Sequence, residues 1–82
     1  MENLRRYEVT APFQYKGGVF SAILYYKGNS DLVHSWDLVI KGFNISKAMP
    51  DDRKSHGYTD DDIEKMNHAV AVYVAAKEGR MP

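Results

Sequence analysis

The chain has 82 residues, of which 44% are hydrophobic and 27% charged, and its eleven basic and eleven acidic residues balance to a formal net charge of zero. These values are typical of one small folded domain, so we expect a single domain over residues 1–82. A balanced charge argues against a non-specific nucleic-acid binder, whose phosphate contacts need a concentrated basic face. The chain contains no cysteine, which excludes disulfides and thiolate chemistry. We therefore expect a cytoplasmic location. The longest apolar run is far shorter than the ~20 residues of a membrane span, so no membrane insertion is expected.

The first predicted element is a β-strand from Arg6 to Lys16. Apolar and polar side chains alternate along it, which is typical of a strand with one buried face. Pro12 lacks an N–H group, so it indicates a sheet edge or a bulge. The alternation predicts a buried face formed by Tyr7, Val9, Ala11, Phe13 and Tyr15.

A hairpin turn is predicted at Gly17 and Gly18, because both central residues of a type I′ turn need a positive φ. This turn sets the register of the first two strands and places Phe13 opposite Ala22. A slip of one residue would move every apolar side chain of the first strand to the other face.

The stretch from Val19 to Lys27 predicts a central strand, because both of its alternating faces are apolar. One face should join the core, and it consists of Phe20, Ala22, Leu24 and Tyr26. The other face has no predicted partner within the chain, and it consists of Val19, Ile23 and Tyr25.

A third strand is predicted from Leu32 to Ile40, after turn residues at 28–30. Its expected core face is Leu32, His34, Trp36, Leu38 and Ile40. Its opposite face carries Val33, Ser35, Asp37 and Val39. Residues 41–58 then show no sustained periodicity, so we expect a long connection with a short strand or turn near Phe43 and Ile45.

The last element is a helix over residues 59–78. Thr59 and Asp62 match a capping box, and Gly79 suits the left-handed position that ends a helix. The apolar stripe of this helix is Ile63, Met66, Val70, Tyr73 and Val74. The predicted fold class is therefore α+β, with a three-stranded antiparallel meander sheet and one C-terminal α-helix packed on one face.

Neither catalysis nor a metal site is predicted. His34 points away from Ser35 and Asp37 in a strand, so these residues cannot form a catalytic triad among themselves. Other metal-binding side chains fall short of a ligand set of the required size or spacing, and they are Asp51, Asp52, His56, Glu64 and His68. We expect no enzyme activity and no cofactor.

Exposed apolar surface is the main functional signal in the sequence, because patches with polar rims often mark contact sites. The back of the sheet offers Val19, Ile23, Tyr25, Val33 and Val39. The back of the helix offers Ala71, Val72, Ala75 and Ala76. At the helix start, capping explains Asp60 to Asp62, but Asp60, Asp61 and Glu64 could also orient a basic partner.

The leading hypothesis is a small non-enzymatic protein-binding module that acts as an inhibitor or adaptor by docking on a larger protein. Self-association as a homodimer through the sheet back or the helix back is also expected, and a phage or mobile-element origin fits the small size. The alternative is an accessory protein that binds nucleic acid on its outer sheet face through Arg5, Arg6, Lys16 and Lys27.

Overall fold

A computed structural model describes residues 4 to 79, with side chains from Arg6 onward. The described chain forms five strands and two helices. The strands are β1 (Leu4–Val9), β2 (Phe13–Tyr15), β3 (Gly18–Lys27), β4 (Val33–Ile40) and β5 (Phe43–Asn44). The helices are α1 (Pro50–Ser55) and α2 (Asp60–Lys77). The predicted α+β class is confirmed, whereas the predicted count of three strands is wrong.

Strand β3 lies at the centre of an antiparallel sheet. The strand order is β1-β3-β4-β5, and β2 pairs with β3 beyond the end of β1. Helix α2 covers one face of the sheet, here called the inner face. Its buried side chains Met66, Val70 and Val74 join a core cluster with the inner side chains of β3 and β4. The opposite face, which α2 does not cover, is here called the outer face.

The first hairpin turns at Lys16 and Gly17 rather than at Gly17 and Gly18. Tyr15 pairs with Gly18, and φ is 50° at Lys16 and 75° at Gly17. Both turn residues therefore have the positive φ that a type I′ turn requires, and Gly18 begins β3. Phe13 consequently lies opposite Phe20, with the two rings stacked at 5.0 Å between centroids, and not opposite Ala22.

An extra residue between β1 and β2 reverses the faces of β1. Val9 pairs with Ile23 and Phe13 with Phe20, so three residues on the first chain segment face two on β3. At this bulge the amide of Thr10 donates to the carbonyl of Ala22, and the amide of Ala22 donates to the Thr10 hydroxyl, both at 2.9 Å.

The prediction of one continuous strand with a single buried face is therefore wrong. Tyr7 and Val9 lie on the outer face with 67% and 60% of their surface exposed, and Ala11 is also exposed. Glu8 lies on the inner face, opposite Leu24. A bulge shifts the two-residue period by one position, so every side chain that follows it points to the other face.

Strand β4 follows the prediction only in its second half. Trp36, Leu38 and Ile40 lie on the inner face as predicted, but Leu32 is 58% exposed and His34 is exposed. The pairing with β3 shifts by one residue near His34. This shift turns Val33 inward, where it packs against the core.

Residues 41–58 contain more structure than the predicted connection. A turn at residues 41 and 42 leads into β5, and Ile45 after it is completely buried. Arg53 of α1 donates from Nε to the carbonyl of Ile45 at 3.1 Å and from Nη2 to the carbonyl of Ser46 at 3.2 Å. These two hydrogen bonds hold α1 against the segment that follows β5.

The start and end of α2 agree with the sequence. Thr59 and Asp62 form both hydrogen bonds of a capping box, and Gly79 adopts a φ of 71° after the last turn. Tyr58 and Ile63, on either side of the cap, both pack against the core. Tyr73 differs from the predicted stripe because it is 37% exposed.

Candidate binding surface on the outer sheet face

The outer face is built from cross-strand rows of side chains that the strand register defines. One row runs from Tyr7 on β1 to Tyr25 on β3 and Ser35 on β4. The next row is Val9, Ile23 and Asp37, and the row after it is Ser21, Val39 and Asn44. Val19 extends the apolar surface towards the first turn and is 44% exposed.

Two large side chains of this face were missed by the sequence prediction. Tyr7 and Val9 reach the outer face only because of the bulge between β1 and β2. Pro12 was a sequence signal for such a bulge, but it did not indicate on which side of the bulge the face would change. The bulge therefore enlarges the apolar surface predicted on the back of β3.

Tyr25 is held in place at the middle of the outer face. Its hydroxyl donates to Oδ2 of Asp37 at 2.9 Å. The ring of Tyr7 lies 6.4 Å away between centroids at 48°, and the ammonium of Lys47 lies 5.9 Å from the Tyr25 ring centroid. These contacts restrict the side chain, so little rotamer entropy is left to lose when a partner covers it.

Three donors lie around one oxygen atom of Asp37. Besides Tyr25, the side-chain amide of Asn44 donates to Oδ2 at 3.1 Å and Nζ of Lys47 lies 3.4 Å from it. Partial burial acts to raise the pKa of Asp37, but the hydrogen bonds from Asn44 and Tyr25 and the charge of Lys47 bring it below its ordinary value. Burial, followed by the bond to Asp37, raises the pKa of Tyr25. At neutral pH this is therefore a charged acceptor surrounded by donors.

The predicted site residues do not form one surface. Val19, Ile23, Tyr25 and Val39 lie together on the outer face, whereas Val33 packs against the core. The other predicted residues are exposed on α2, on the far side of the sheet, and are Asp60, Asp61, Glu64 and Val72.

Structural contacts at the acidic start of α2 centre on one carboxylate, that of Asp62. Asp62 is buried, and its carboxylate accepts from the Thr59 amide at 3.0 Å, from the Tyr15 hydroxyl at 2.6 Å and from Nζ of Lys16 at 3.1 Å. Asp61 forms an ion pair with Lys65 one turn later, at 3.1 Å. The three carboxylates that the sequence offered to a basic partner all remain exposed, namely those of Asp60, Asp61 and Glu64.

Two of the four basic residues of the nucleic-acid hypothesis, Lys16 and Arg6, are bound away from the outer face. Lys16 pairs with Asp62 on the helix side. Arg6 lies on the inner side of β1, with its guanidinium 3.9 Å from the ring centroid of Tyr26 and 3.2 Å from Asp31. The side chain of Arg5 lies outside the part of the chain whose side chains are described.

The catalytic and metal candidates are also separated or engaged elsewhere. Asp37 is held by Tyr25, Asn44 and Lys47. The ring of His56 stacks on Phe43 with 4.0 Å between centroids and 9° between planes. Within residues 4–79, no three side chains of the metal-binding types come together.

A cleft of about 390 Å³ lies at the other end of the sheet, and the sequence did not predict it. Oε1 of Glu8 accepts from the Tyr26 hydroxyl at 2.6 Å and lies 3.1 Å from Nζ of Lys77. Burial, followed by the bond to Glu8, raises the pKa of Tyr26 to about 12. The lining of this cleft mixes carboxylates with the cations of Arg6 and Lys77, so it gives no indication of a ligand of one sign.

No helix within the described residues has the length and apolar character needed to cross a bilayer. Comparison with protein families, with curated proteins and with solved structures gives no match to this chain. The geometry of the outer face is therefore the main basis for a functional proposal.

Proposed function

We propose that the protein is a non-enzymatic protein-binding module that docks on a larger protein through its outer sheet face, as an inhibitor or adaptor. The observation that carries this proposal is the fixed position of Tyr25, whose hydroxyl is bound by Asp37 while its ring lies near Tyr7 and Lys47. Tyrosine is enriched among the residues that dominate binding energy, and a restricted ring loses little entropy on binding.

The composition of the outer face supports a protein partner. Its centre is aromatic and apolar, and its border carries polar side chains that remain partly exposed, among them Asn44 and Ser35. An apolar centre with a polar rim is the usual anatomy of a protein interface. We also propose a reducing, cytoplasmic compartment, which the absence of cysteine supports.

Nucleic-acid binding by the same face has weaker support. Such binding depends on cations that can follow a phosphate backbone. Lys16 and Arg6, two of the four basic residues on which this alternative relied, form ion pairs with Asp62 and Asp31 away from the outer face.

The proposal can be tested with a pair of matched substitutions. Val19 on the outer face and Val72 on α2 are exposed to nearly the same extent, at 44% and 45%. We expect Val19→Asp and Tyr25→Ala to abolish or strongly weaken capture of a partner from the source cells by the immobilised protein. Tyr25 lies in the middle of the outer face, and Val19→Asp places a charge on its apolar surface.

Val72→Asp serves as the control, since it introduces the same charge on the opposite side of the molecule. It should leave capture unchanged, and circular dichroism should show that all variants are folded. Capture that survives Val19→Asp and Tyr25→Ala but is lost in Val72→Asp would assign binding to the helix and contradict the proposal.

A further inference from the structure

Strand β1 has one edge without a strand partner among the described residues. β1 pairs with β3 on one side and lies at the end of the strand order. It extends from Leu4 to Val9, and it carries two exposed large side chains, Tyr7 and Val9. An edge strand of this kind is a template for pairing with a further strand.

The direction of the backbone groups of β1 follows from a hydrogen bond at its end. The amide of Thr10 donates to the carbonyl of Ala22 on β3. In an antiparallel ladder the backbone groups of alternate residues point to the same side, so Glu8 and Arg6 also turn theirs towards β3. The N–H and C=O groups of Tyr7 and Val9 therefore point away from the sheet, where a second strand can reach them.

We propose that the protein forms a two-fold symmetric dimer by antiparallel pairing of two β1 edges, with Tyr7 opposite the partner's Tyr7. In this register the two outward-pointing residues at the axis exchange both backbone hydrogen bonds. A two-fold axis requires a self-complementary surface. An antiparallel edge meets this requirement when the residues at equal distances on the two sides of the axis carry opposite charges.

The charges of β1 select this register over its neighbours. With the axis at Tyr7, Arg6 lies directly opposite the partner's Glu8, and Glu8 opposite the partner's Arg6. An axis at Arg6 would instead place two arginines opposite each other, and an axis at Glu8 two glutamates. Opposite charges across strands are stabilising and like charges are destabilising, so of these three axes the one at Tyr7 is favoured.

Both charged side chains are partly exposed, although Oε1 of Glu8 is also bound by Tyr26 and Lys77 within the protomer. The side chain of Arg6 is 45% exposed and that of Glu8 is 43% exposed. The bond of Arg6 to Asp31 is a surface ion pair, because the Asp31 side chain is 97% exposed. Exposed pairs of this kind are weak, so the Asp31 pair is given up at little cost when Arg6 turns to the partner's Glu8. The same movement also exchanges the contact with the Tyr26 ring and the hydrogen bond to the Ser30 carbonyl for the new pair.

The dimer would join two sheets into one continuous sheet with both α2 helices on the same face. The two outer faces would then meet at the axis, where Tyr7 of each protomer lies beside the partner's Tyr7. The resulting aromatic surface is twice as large as in one protomer. This inference concerns the edge of β1, and it stands independently of whether the outer face binds another protein.

Charge reversal is the first test, with mass measured by light scattering at low salt over a range of protein concentrations. We expect the unchanged protein to approach the mass of two chains. Arg6→Glu should raise the dissociation constant about tenfold or more, because both cross-strand pairs become like-charge pairs. The double variant Arg6→Glu with Glu8→Arg should restore the dimer, since it only exchanges the positions of the charges.

Lys65→Glu is the matched control for net charge. Lys65 is exposed on α2, where it pairs with Asp61, and its substitution changes the charge by the same amount as Arg6→Glu. This variant should remain dimeric. If Lys65→Glu weakens the dimer as much as Arg6→Glu, or if the double variant stays monomeric while folded, the proposed register is wrong.

The backbone pairing has its own test in Tyr7→Pro compared with Tyr7→Ala. Proline removes an N–H that points away from β3, so the ladder within the protomer keeps its bonds while the dimer loses both hydrogen bonds at the axis, one from each protomer. Tyr7→Pro should be a folded monomer by light scattering and circular dichroism, whereas Tyr7→Ala should retain more dimer. If Tyr7→Pro fails to fold, the charge-reversal variants decide whether the two β1 edges pair.

The test also separates this inference from the proposed function. Val19 lies on β3 beside the first turn and outside the β1 edge, so Val19→Asp should lose the captured partner and remain dimeric. Arg6→Glu should show the reverse behaviour. An unchanged protein that has the mass of one chain at every concentration overturns the dimer and leaves the proposed function in place.

Discussion

The hydroxyl of Tyr15 donates to Oδ1 of Asp62 at 2.6 Å, which joins the first hairpin to the start of α2 across 47 positions of sequence. The other oxygen of the same carboxylate accepts from the amide of Thr59 and from Nζ of Lys16. Asp62, whose side chain completes the capping box of α2, therefore also attaches the helix to the sheet.

This arrangement predicts a loss of stability in acid. Chiefly the Thr59 amide, and then Tyr15 and Lys16, hold the pKa of Asp62 well below its ordinary 3.8, against the effect of burial. A group with a depressed pKa in the folded state stabilises the fold above its unfolded pKa, and this contribution is lost as the pH falls through the folded value. Asp62→Asn should therefore be less stable than the unchanged protein at neutral pH, and the difference should shrink below about pH 4.

Urea unfolding of the two proteins, followed by circular dichroism across this pH range, measures the difference. Asp60→Asn is the control, because Asp60 is exposed at the first position of the same helix. A difference between Asp62→Asn and the unchanged protein that stays constant down to the lowest pH would show that the charge of Asp62 is not the source of the stabilisation.

The position of the first turn predicts different effects for two neighbouring glycines. Gly17 has a φ of 75°, whereas a Cβ at Gly18 would meet only the carbonyl oxygen of Tyr15 at an ordinary 3.7 Å. Gly17→Ala should reduce the free energy of unfolding by about 1 to 2 kcal/mol, because a side chain is strained in the left-handed region. Gly18→Ala should change it by less than about 0.5 kcal/mol.

Thermal and urea unfolding of both glycine variants distinguish the observed turn from the turn that the sequence indicated. A turn at Gly17 and Gly18 would make both substitutions costly. Equal destabilisation by the two variants would therefore contradict the observed hairpin.

The bulge between β1 and β2 depends on the side chain of Thr10. Its hydroxyl accepts from the amide of Ala22 at 2.9 Å, and only 7% of Thr10 is exposed. Thr10→Val keeps the shape but leaves a buried amide without its acceptor, so we expect a loss of about 1 to 3 kcal/mol in the free energy of unfolding. Thr10→Ser retains the hydroxyl and should lose less, as measured by urea unfolding. If the valine and serine variants are equally stable, the hydrogen bond does not maintain the bulge.

The faces of β1 and β3 predict opposite sensitivities to truncation. Leu24 is completely buried, so Leu24→Ala should cost about 2 to 5 kcal/mol of unfolding free energy. Val9 is 60% exposed on the outer face, so Val9→Ala should cost no more than about 0.5 kcal/mol. A large loss of unfolding free energy in Val9→Ala would instead place Val9 in the core, as the uninterrupted alternation of the sequence had predicted.

Much of the fold could be predicted from the sequence, because the relevant signals are local. The capping box at Thr59, the apolar stripe around Val70 and the turn residue Gly79 each depend on neighbours within a few positions. The inner and outer faces of β3 follow from its two-residue period alone, and all four predicted core side chains of this strand are buried. The apolar back of the central strand was therefore visible without a structure.

What only the tertiary structure decided is the register of the first hairpin and the composition of the candidate binding surface. Periodicity cannot indicate where a strand gains an unpaired residue, because that choice depends on a hydrogen bond between Thr10 and Ala22, twelve positions apart. That bulge turns Tyr7 and Val9 to the outer face and Glu8 towards the helix. The amino-acid pattern thus determined which stretches form the sheet and α2, whereas long-range pairing determined which side chains remain for a partner.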